Sequence, residues 1–325
     1  MLFSSFFNIF LLKILKEYSI SSDIMDKNYG LCLDAGGTSI KAAIIDNSGN
    51  LYDSTFKCFN INTNAPKEEV INTFINIINY YSAIINENNL KIKGIGIGIC
   101  GPFDYKKGIC LIPPKLHKYK HLYGINLKEI LISRLGIENI VFENDAFAFL
   151  WGETWKGQAR KYNRVIGLTL GTGLGSAFYV NGEIVVSGKG VPPDGWVGGL
   201  SYKDGIVEDY IARRWILSKY RELSNNKDKE TIDVVDIAKL AYEGDKINIA
   251  IFSEMGERLG EVISPFAEAF QAECIVFGGQ ISNALPLFIK PFREQLKEIG
   301  SIKNIYKTVD TSKSALYGMA RLIFR

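Results

Sequence analysis

The chain has only two histidines, His117 and His121, and five cysteines, Cys32, Cys58, Cys100, Cys110 and Cys274, none at Cys-x-x-Cys spacing. That scarcity leaves no ligand set for a zinc cage, which needs closely spaced thiolates and imidazoles. An odd number of scattered cysteines, most of them in apolar runs, argues against a disulfide framework and for buried thiols in a reducing cytoplasm. Charge of one sign is also lacking: 38 Lys+Arg against 35 Asp+Glu give a net +3, too little to make nucleic acid or an anionic membrane the main partner. Nor is there an uninterrupted apolar run of about 20 residues, the length needed to span a bilayer. The nearest, MLFSSFFNIFLLKILKEYSI, is interrupted by Asn8, Lys13 and Lys16, and its lysines follow the apolar part, whereas a signal peptide carries positive charge ahead of it. A start at Met25 would leave residues 1–24 as an appendage, with 1–27 ahead of the fold. Small-molecule chemistry is what these absences leave, in 325 residues that suffice for one large domain or two smaller ones.

What is present is an alternation of strand and helix patterns, an α/β architecture. Leu31–Asp34 and Ile40–Asp46 are β-rich runs around a Gly-Gly turn, followed by a turn at 47–50 and a third run, Leu51–Phe59. From Pro66, Val70, Phe74, Ile77, Ile78, Tyr81, Ile84 and Ile85 recur at helical spacing. Ile92–Cys100 alternates isoleucine with glycine, as a strand does where another backbone must approach it. Asn126 and Gly136 bracket a helix, and Ile140–Phe142 is a short buried strand leading into Glu-Asn-Asp-Ala and the next helix. The second half repeats the opening theme in Val165–Leu170, GTGLG, Ser176–Val180 and Glu183–Val186, which suggests duplicated halves facing each other across a cleft. Helices are expected over 207–222, 231–242 and 246–272, then a strand and turn at CIVFGG and a closing helix at ALYGMARLIF. No Pro-rich linker separates the halves, so motion between them requires a hinge within continuous structure.

Three stretches could carry chemistry. In DAGGT, glycines bring backbone N–H groups close to an oxyanion and Thr38 adds a hydroxyl. Neither GxxxxGK[ST] nor a helix-opening GxGxxG fits; GTGLGS at 171–176 is followed by a strand. Each Gly-rich hairpin alone reads as ordinary turn chemistry, but the pair, with Asp34 ending the first strand, favours phosphate. In Glu-Asn-Asp, 143–145, Asp145 reads either as an N-cap or as a base taking a proton from a hydroxyl within about 3 Å. Asn144 beside it can donate and accept, which suits a polyhydroxylated ligand.

LCLDAGGTSIKAAIID, GIGICGPFD, ENDAFAFLWGE, GLTLGTGLGS and VFGGQIS, in this order, resemble the ROK (repressor, open reading frame, kinase) family of sugar kinases and related regulators. The resemblance runs from Asn28 to the C-terminus. It implies the actin, sugar kinase and Hsp70 ATPase fold: two ribonuclease-H-like domains, 28–145 and 146–310, with the closing segment 311–325 returning to the first and ligands in the cleft between them. It also implies ATP and Mg²⁺ as cofactors. Asp34 would hold Mg²⁺ through water, Gly36, Gly37 and Thr38 would approach the β- and γ-phosphates, and Gly171, Thr172 and Gly173 would form the opposing loop. Gly278 and Gly279 would lie against the adenosine, Asp145 would be the catalytic base, and Gly101 and Asn144 would lie on the sugar. A cytoplasmic, possible homodimeric enzyme acting on a sugar follows, with no nucleic acid or membrane partner.

The pattern breaks where many members carry Gly-Glu-x-Gly-His and a cysteine-rich zinc loop. Here Gly195-Trp196-Val197-Gly198-Gly199 stands instead, with Trp196 for the sugar-binding glutamate, Gly199 for the histidine and no zinc cysteines. Glu208 remains as a sugar-contacting candidate, or as a solvated acid at a helix start. Trp196 is either a core residue or a ring face that stacks on a sugar. His117 and His121, in PPKLHKYKH, read as contacts to substrate or phosphate, as a surface loop, or, with the neighbouring Lys and Tyr residues, as an oligomer contact. The expected activity is ATP-dependent phosphorylation of a sugar hydroxyl, most simply of a hexose such as glucose. The rival readings are a sugar-responsive regulator, for which residues 1–27 are too short to supply a helix-turn-helix, and a binding protein that has lost catalysis.

Overall fold

The computed structural model describes residues 27–52, 54–224 and 232–325, so the appendage expected at 1–24 lies outside the described residues. Two five-stranded sheets organise it. In the first, β1 (Asn28–Ala35) pairs antiparallel with β2 (Ser39–Asp46), which pairs antiparallel with β3 (Lys57–Asn60). On its other edge β1 runs parallel to β4 (Lys91–Ile99), which runs parallel to β7 (Ile140–Asn144). Between them, β5 (Phe103–Asp104) and β6 (Ile109–Cys110) form a small hairpin. In the second sheet, β8 (Arg164–Leu170), β9 (Leu174–Val180) and β10 (Glu183–Val185) form the antiparallel part. A second small hairpin, β11 (Ser201–Tyr202) and β12 (Gly205–Ile206), precedes β13 (Cys274–Gly278) and β14 (Asn304–Lys307), which continue the second sheet from β8 in parallel. Both five-stranded sheets therefore run third, second, first, fourth, fifth, the duplication the paired hairpins implied.

Helices α1 (Lys67–Glu87) and α2 (Leu127–Leu135) cover one face of the first sheet, burying Val70, Phe74, Ile78 and Leu131 against Leu33, Ile95 and Ile97. Asn126 caps α2 by accepting from the Glu129 N–H, and Gly136 ends it in the left-handed conformation. On the second sheet, α4 (Arg213–Leu223), α5 (Val234–Tyr242), α6 (Lys246–Phe270) and α7 (Leu285–Glu294) share a core with Ile166, Phe178 and Phe277. Two further helices, α3 (Asp145–Trp155) and α8 (Ser314–Ile323), join the halves. Ala148 of α3 packs with Cys32 and Ala43 on the first sheet and with Met319 of α8, while Phe149, Leu150 and Trp151 pack with Val165 and Val276 on the second. The two helices meet backbone to backbone: a Cβ on Gly152 would overlap the Ser314 carbonyl oxygen, and one on Gly318 the Ala148 carbonyl oxygen. Gly96 of β4 lets α8 approach the first sheet, since a Cβ on it would lie 3.0 Å from Met319 Cβ.

Two expected elements differ. Of the run 51–59 only 57–59 is strand, within Lys57–Asn60, because the Thr55 hydroxyl takes the Ile44 N–H at 3.1 Å in place of a ladder partner, and Leu51 makes a single bridge to Ile45. The helix expected over 207–222 is a short 3-10 turn, Val207–Tyr210, then α4, because the Arg213 N–H is drawn to the Gly171 carbonyl at 3.2 Å. Among the described residues, no helix is long and apolar enough to cross a membrane.

Candidate active site

Asp34 lies near the end of β1, opposite Lys41, whose ammonium meets it at 3.3 Å. The turn that follows has its carbonyls tied to the protein. Gly36 O accepts from Tyr119 Oη at 2.9 Å, Gly37 O from Thr63 Oγ1 at 3.0 Å, and Thr38 O from Ile61 N at 3.1 Å. Gly36 N closes the turn onto Ser39 O at 3.0 Å, while the N–H groups of Gly37 and Thr38 have no protein acceptor among the described residues.

The turn between β8 and β9 repeats this logic. Gly171 N bonds Gly173 O at 3.0 Å and Gly171 O accepts from Arg213 N, while the N–H groups of Thr172 and Gly173 have no protein acceptor among the described residues. Space around Gly171 is open: a Cβ there would meet nothing within 4 Å. Thr38 and Thr172 are exposed at the turn tips. Turns whose carbonyls point away and whose successive amides are unspent attract anions.

Between the two turns begins α3. Asn144 is its N-cap, with Oδ1 accepting from the N–H groups of Ala146 at 3.0 Å and Phe147 at 3.3 Å, so the capping role open to Asp145 belongs to its neighbour. Asn144 Nδ2 donates to Tyr105 Oη at 3.0 Å, and Tyr105 Oη donates to Ile99 O at 3.3 Å. Gly101 closes this group, since a Cβ on it would lie 2.9 Å from Tyr105 Oη. Asp145, the first residue of the helix, accepts from its neighbour's N–H, Ala146 N, at 2.9 Å. Burial, with the negative charge of Asp34 adding to it, pushes its carboxyl up to about 6, against the pull of Lys118. Behind it, Ala146 Cβ is 3.0 Å from the place a Cβ on Gly175 would take, just past the second turn. Asp145 thus stands between Asp34 on one side and β9 on the other.

A family model, ROK family, matches residues 30–324. The chain belongs to the ROK family. A glucokinase of Thermotoga maritima is 24% identical over 282 residues, 81% of this chain and 86% of that protein. An N-acetyl-D-glucosamine kinase of Haemophilus influenzae is 26% identical over 304 residues, 85% of this chain and 93% of that protein. Among solved structures, a ROK family glucokinase from Streptomyces griseus in complex with glucose and AMPPNP superposes with a TM-score of 0.72 at 23% identity, covering 90% of this chain and 98% of that one. The fold is accordingly the two-domain α/β fold of actin, the sugar kinases and the Hsp70 ATPases.

This ROK chain differs at the loop where the sequence departed from its family. Trp196 is 46% exposed and is not a core residue. Its Nε1 donates to Leu174 O at 3.0 Å, while Glu208 Oε2 accepts from Leu174 N at 2.8 Å, so the two side chains grip both sides of the residue that ends the second turn. The solvated helix-start reading of Glu208 gives way to this contact. The indole lies over Gly199, where a Cβ would overlap the ring, so Trp196 in this position requires glycine at 199. The loop itself is fixed by Ser176 Oγ, which donates to Gly195 O at 2.6 Å and accepts from Val197 N at 2.8 Å. Gly278 and Gly279 end β13 beside β8: a Cβ on Gly278 would overlap the Phe149 ring, and Gly279, at φ 78°, lies on the Leu170 backbone.

The sequence reading missed Tyr105, Tyr119 and Lys118. His117 and His121 are exposed as expected, but Tyr119 in the same loop is fully buried and holds the Gly36 carbonyl. Only its aromatic character amid lysines signalled that. Burial pushes the thiol of Cys100, close to Asp145, up to about 12.

Proposed function

We propose that the chain is an ATP-dependent sugar kinase acting on a hexose hydroxyl, glucose being the simplest acceptor, with Asp145 as the base. The observation that carries this is the pair of turns with unspent amides, one on each side of a carboxylate held near neutrality. The free N–H groups of Gly37, Thr38, Thr172 and Gly173 bind phosphate oxygens of ATP, and the glycines Gly278 and Gly279 border the adenosine. Asp145 accepts the proton of the sugar hydroxyl, the hydroxyl oxygen bonds to the γ-phosphorus, and the bond from that phosphorus to the bridging oxygen breaks, releasing ADP. Gly101, Asn144, Glu208 and Trp196 form the sugar side. Glu208 spends only Oε2 on Leu174, and the exposed indole face suits the C–H groups of a pyranose.

Asp34 fits a magnesium role. It is partly exposed beside the first turn, and among the described residues no group of three or more His, Cys, Asp or Glu could enclose an ion, so a cation would be held through water by one carboxylate and the phosphates. When bound, Mg²⁺ neutralises charge on the β- and γ-phosphate oxygens. The same reading divides the chain into 28–145 with the closing helix, and 146–310, and places it in the cytoplasm as a possible homodimer. Incubation with ATP, Mg²⁺ and a panel of hexoses, N-acylhexosamines and polyols, followed by phosphorus NMR, should reveal one sugar phosphate. Absence of any phosphorylated acceptor across the panel would end the kinase reading.

A further inference from the structure

We propose that Lys118 is a further catalytic residue, an ammonium that binds the γ-phosphoryl group as it passes from ATP to the acceptor. This deepens the kinase reading and rests on it. Three observations place the side chain. First, the loop carrying it is fastened to the first phosphate turn on both sides. Tyr119, its ring buried against Phe74, donates to the Gly36 carbonyl at 2.9 Å. Lys120 N bonds Thr63 O at 3.2 Å, and Thr63 Oγ1 in turn bonds the Gly37 carbonyl at 3.0 Å.

Second, Lys118 Cε packs over that turn, 4.0 Å from where a Cβ on Gly37 would sit. His117 and Tyr119 on either side of it both have positive φ, 51° and 49°, a conformation that costs a non-glycine residue on the order of 1 kcal/mol. Strain of this kind persists where the surroundings over-determine it, and between these two residues Lys118 is half-buried while His117 is exposed.

Third, the ammonium is unspent. Lys118 makes no ion pair or hydrogen bond among the described residues, although it is half-buried and close enough to Asp145 and Cys100 to bear on the charge of both. The other lysine of the cleft, Lys41, is paired with Asp34. A partly buried cation that forms no ion pair among the described residues, beside amides that themselves have no acceptor, awaits an anion, and the group that must sit between Gly37 and Asp145 in an in-line transfer is the γ-phosphoryl. Charge spreads over its equatorial oxygens as the hydroxyl oxygen bonds to phosphorus and the bridging oxygen leaves with ADP. A positioned ammonium lowers that barrier without giving up a proton, since the hydroxyl proton goes to Asp145.

The test compares wild type with Lys118→Met and Lys118→Arg, first by calorimetric binding of ADP and of a non-hydrolysable ATP analogue, then by turnover of the acceptor found in the panel. In Lys118→Met the analogue should bind about 10-fold more weakly while ADP changes by less than about twofold, since only the analogue carries the third phosphate. Turnover should fall about 100- to 1,000-fold with the sugar KM within about threefold of wild type, and Lys118→Arg should recover part of the loss. Unchanged analogue binding, an equal loss for both nucleotides, or turnover within about threefold of wild type would overturn the assignment. Should wild type phosphorylate no acceptor, the kinase reading falls, and the two nucleotide affinities still decide what Lys118 holds.

Discussion

Asp145 shows how one residue's surroundings set its use. The N-cap of α3 is filled by Asn144, and the Asp145 carboxylate accepts the Ala146 N–H through Oδ1. Burial and the charge of Asp34 raise its pKa to about 6, and Lys118 opposes them. A base works unprotonated, so kcat/KM should fall about 10-fold per pH unit below about 6 and level off above it, which a pH profile of initial rates checks. Trp196 makes a separate prediction. Trp196→Ala removes both the bond to Leu174 O and the exposed ring face, so sugar KM should rise about 10-fold while the affinity for ADP stays within about twofold. Legibility differs sharply among these residues. Asp34, the glycines and Asp145 sit in short local patterns that a reader can recognise. Lys118 and Tyr119 do not, because PPKLHKYKH has the composition of a surface loop and its meaning comes from a contact with Gly36 and Gly37, some eighty positions away in the chain.

Glycines divide the elements into those that pack and those that face open space. Gly152 and Gly318 let α3 and α8 touch through their backbones. An alanine at either position should cost at least about 2 kcal/mol, read as a lower urea midpoint, because carbonyl oxygens of the partner helix occupy the added methyl's place. Gly171→Ala is the contrast. Nothing lies within 4 Å of the new methyl, and this glycine is not among those at positive φ. Its stability should stay within about 0.5 kcal/mol of wild type, while affinity for an ATP analogue falls about 10-fold because the methyl enters the phosphate space. Strands and helices with clear periodicity were readable from the sequence, among them β4, whose Ile-Gly alternation announced the close approach that α8 makes. The run at 51–59 and the helix at 207–222 were not, because a side-chain hydroxyl and a turn carbonyl claim the backbone groups that regular structure would have used.

At the scale of the molecule, a repeated sheet order places two similar turns on either side of one helix start. The repeat was visible in the sequence as two Gly-rich hairpins, and the joining of the halves through α3 and α8 was not, since each helix reads simply as apolar until its two faces are seen to serve different sheets. The proposed function assigns phosphate binding to the turns, proton transfer to Asp145 and sugar choice to the Trp196 loop. On that proposal Trp196 and Gly199 stand in the sugar wall where many family members carry Glu and His, so acceptor preference should differ while the chemistry stays the same. The central claim is phosphoryl transfer to a sugar with Asp145 as base, and it is tested most directly by ADP release from ATP with the preferred acceptor, in wild type and in Asp145→Asn. Acceptor-dependent release that falls at least about 100-fold in the variant, with both proteins binding ADP alike, is the predicted result. Equal release from the two proteins, or release that no sugar stimulates, would contradict it.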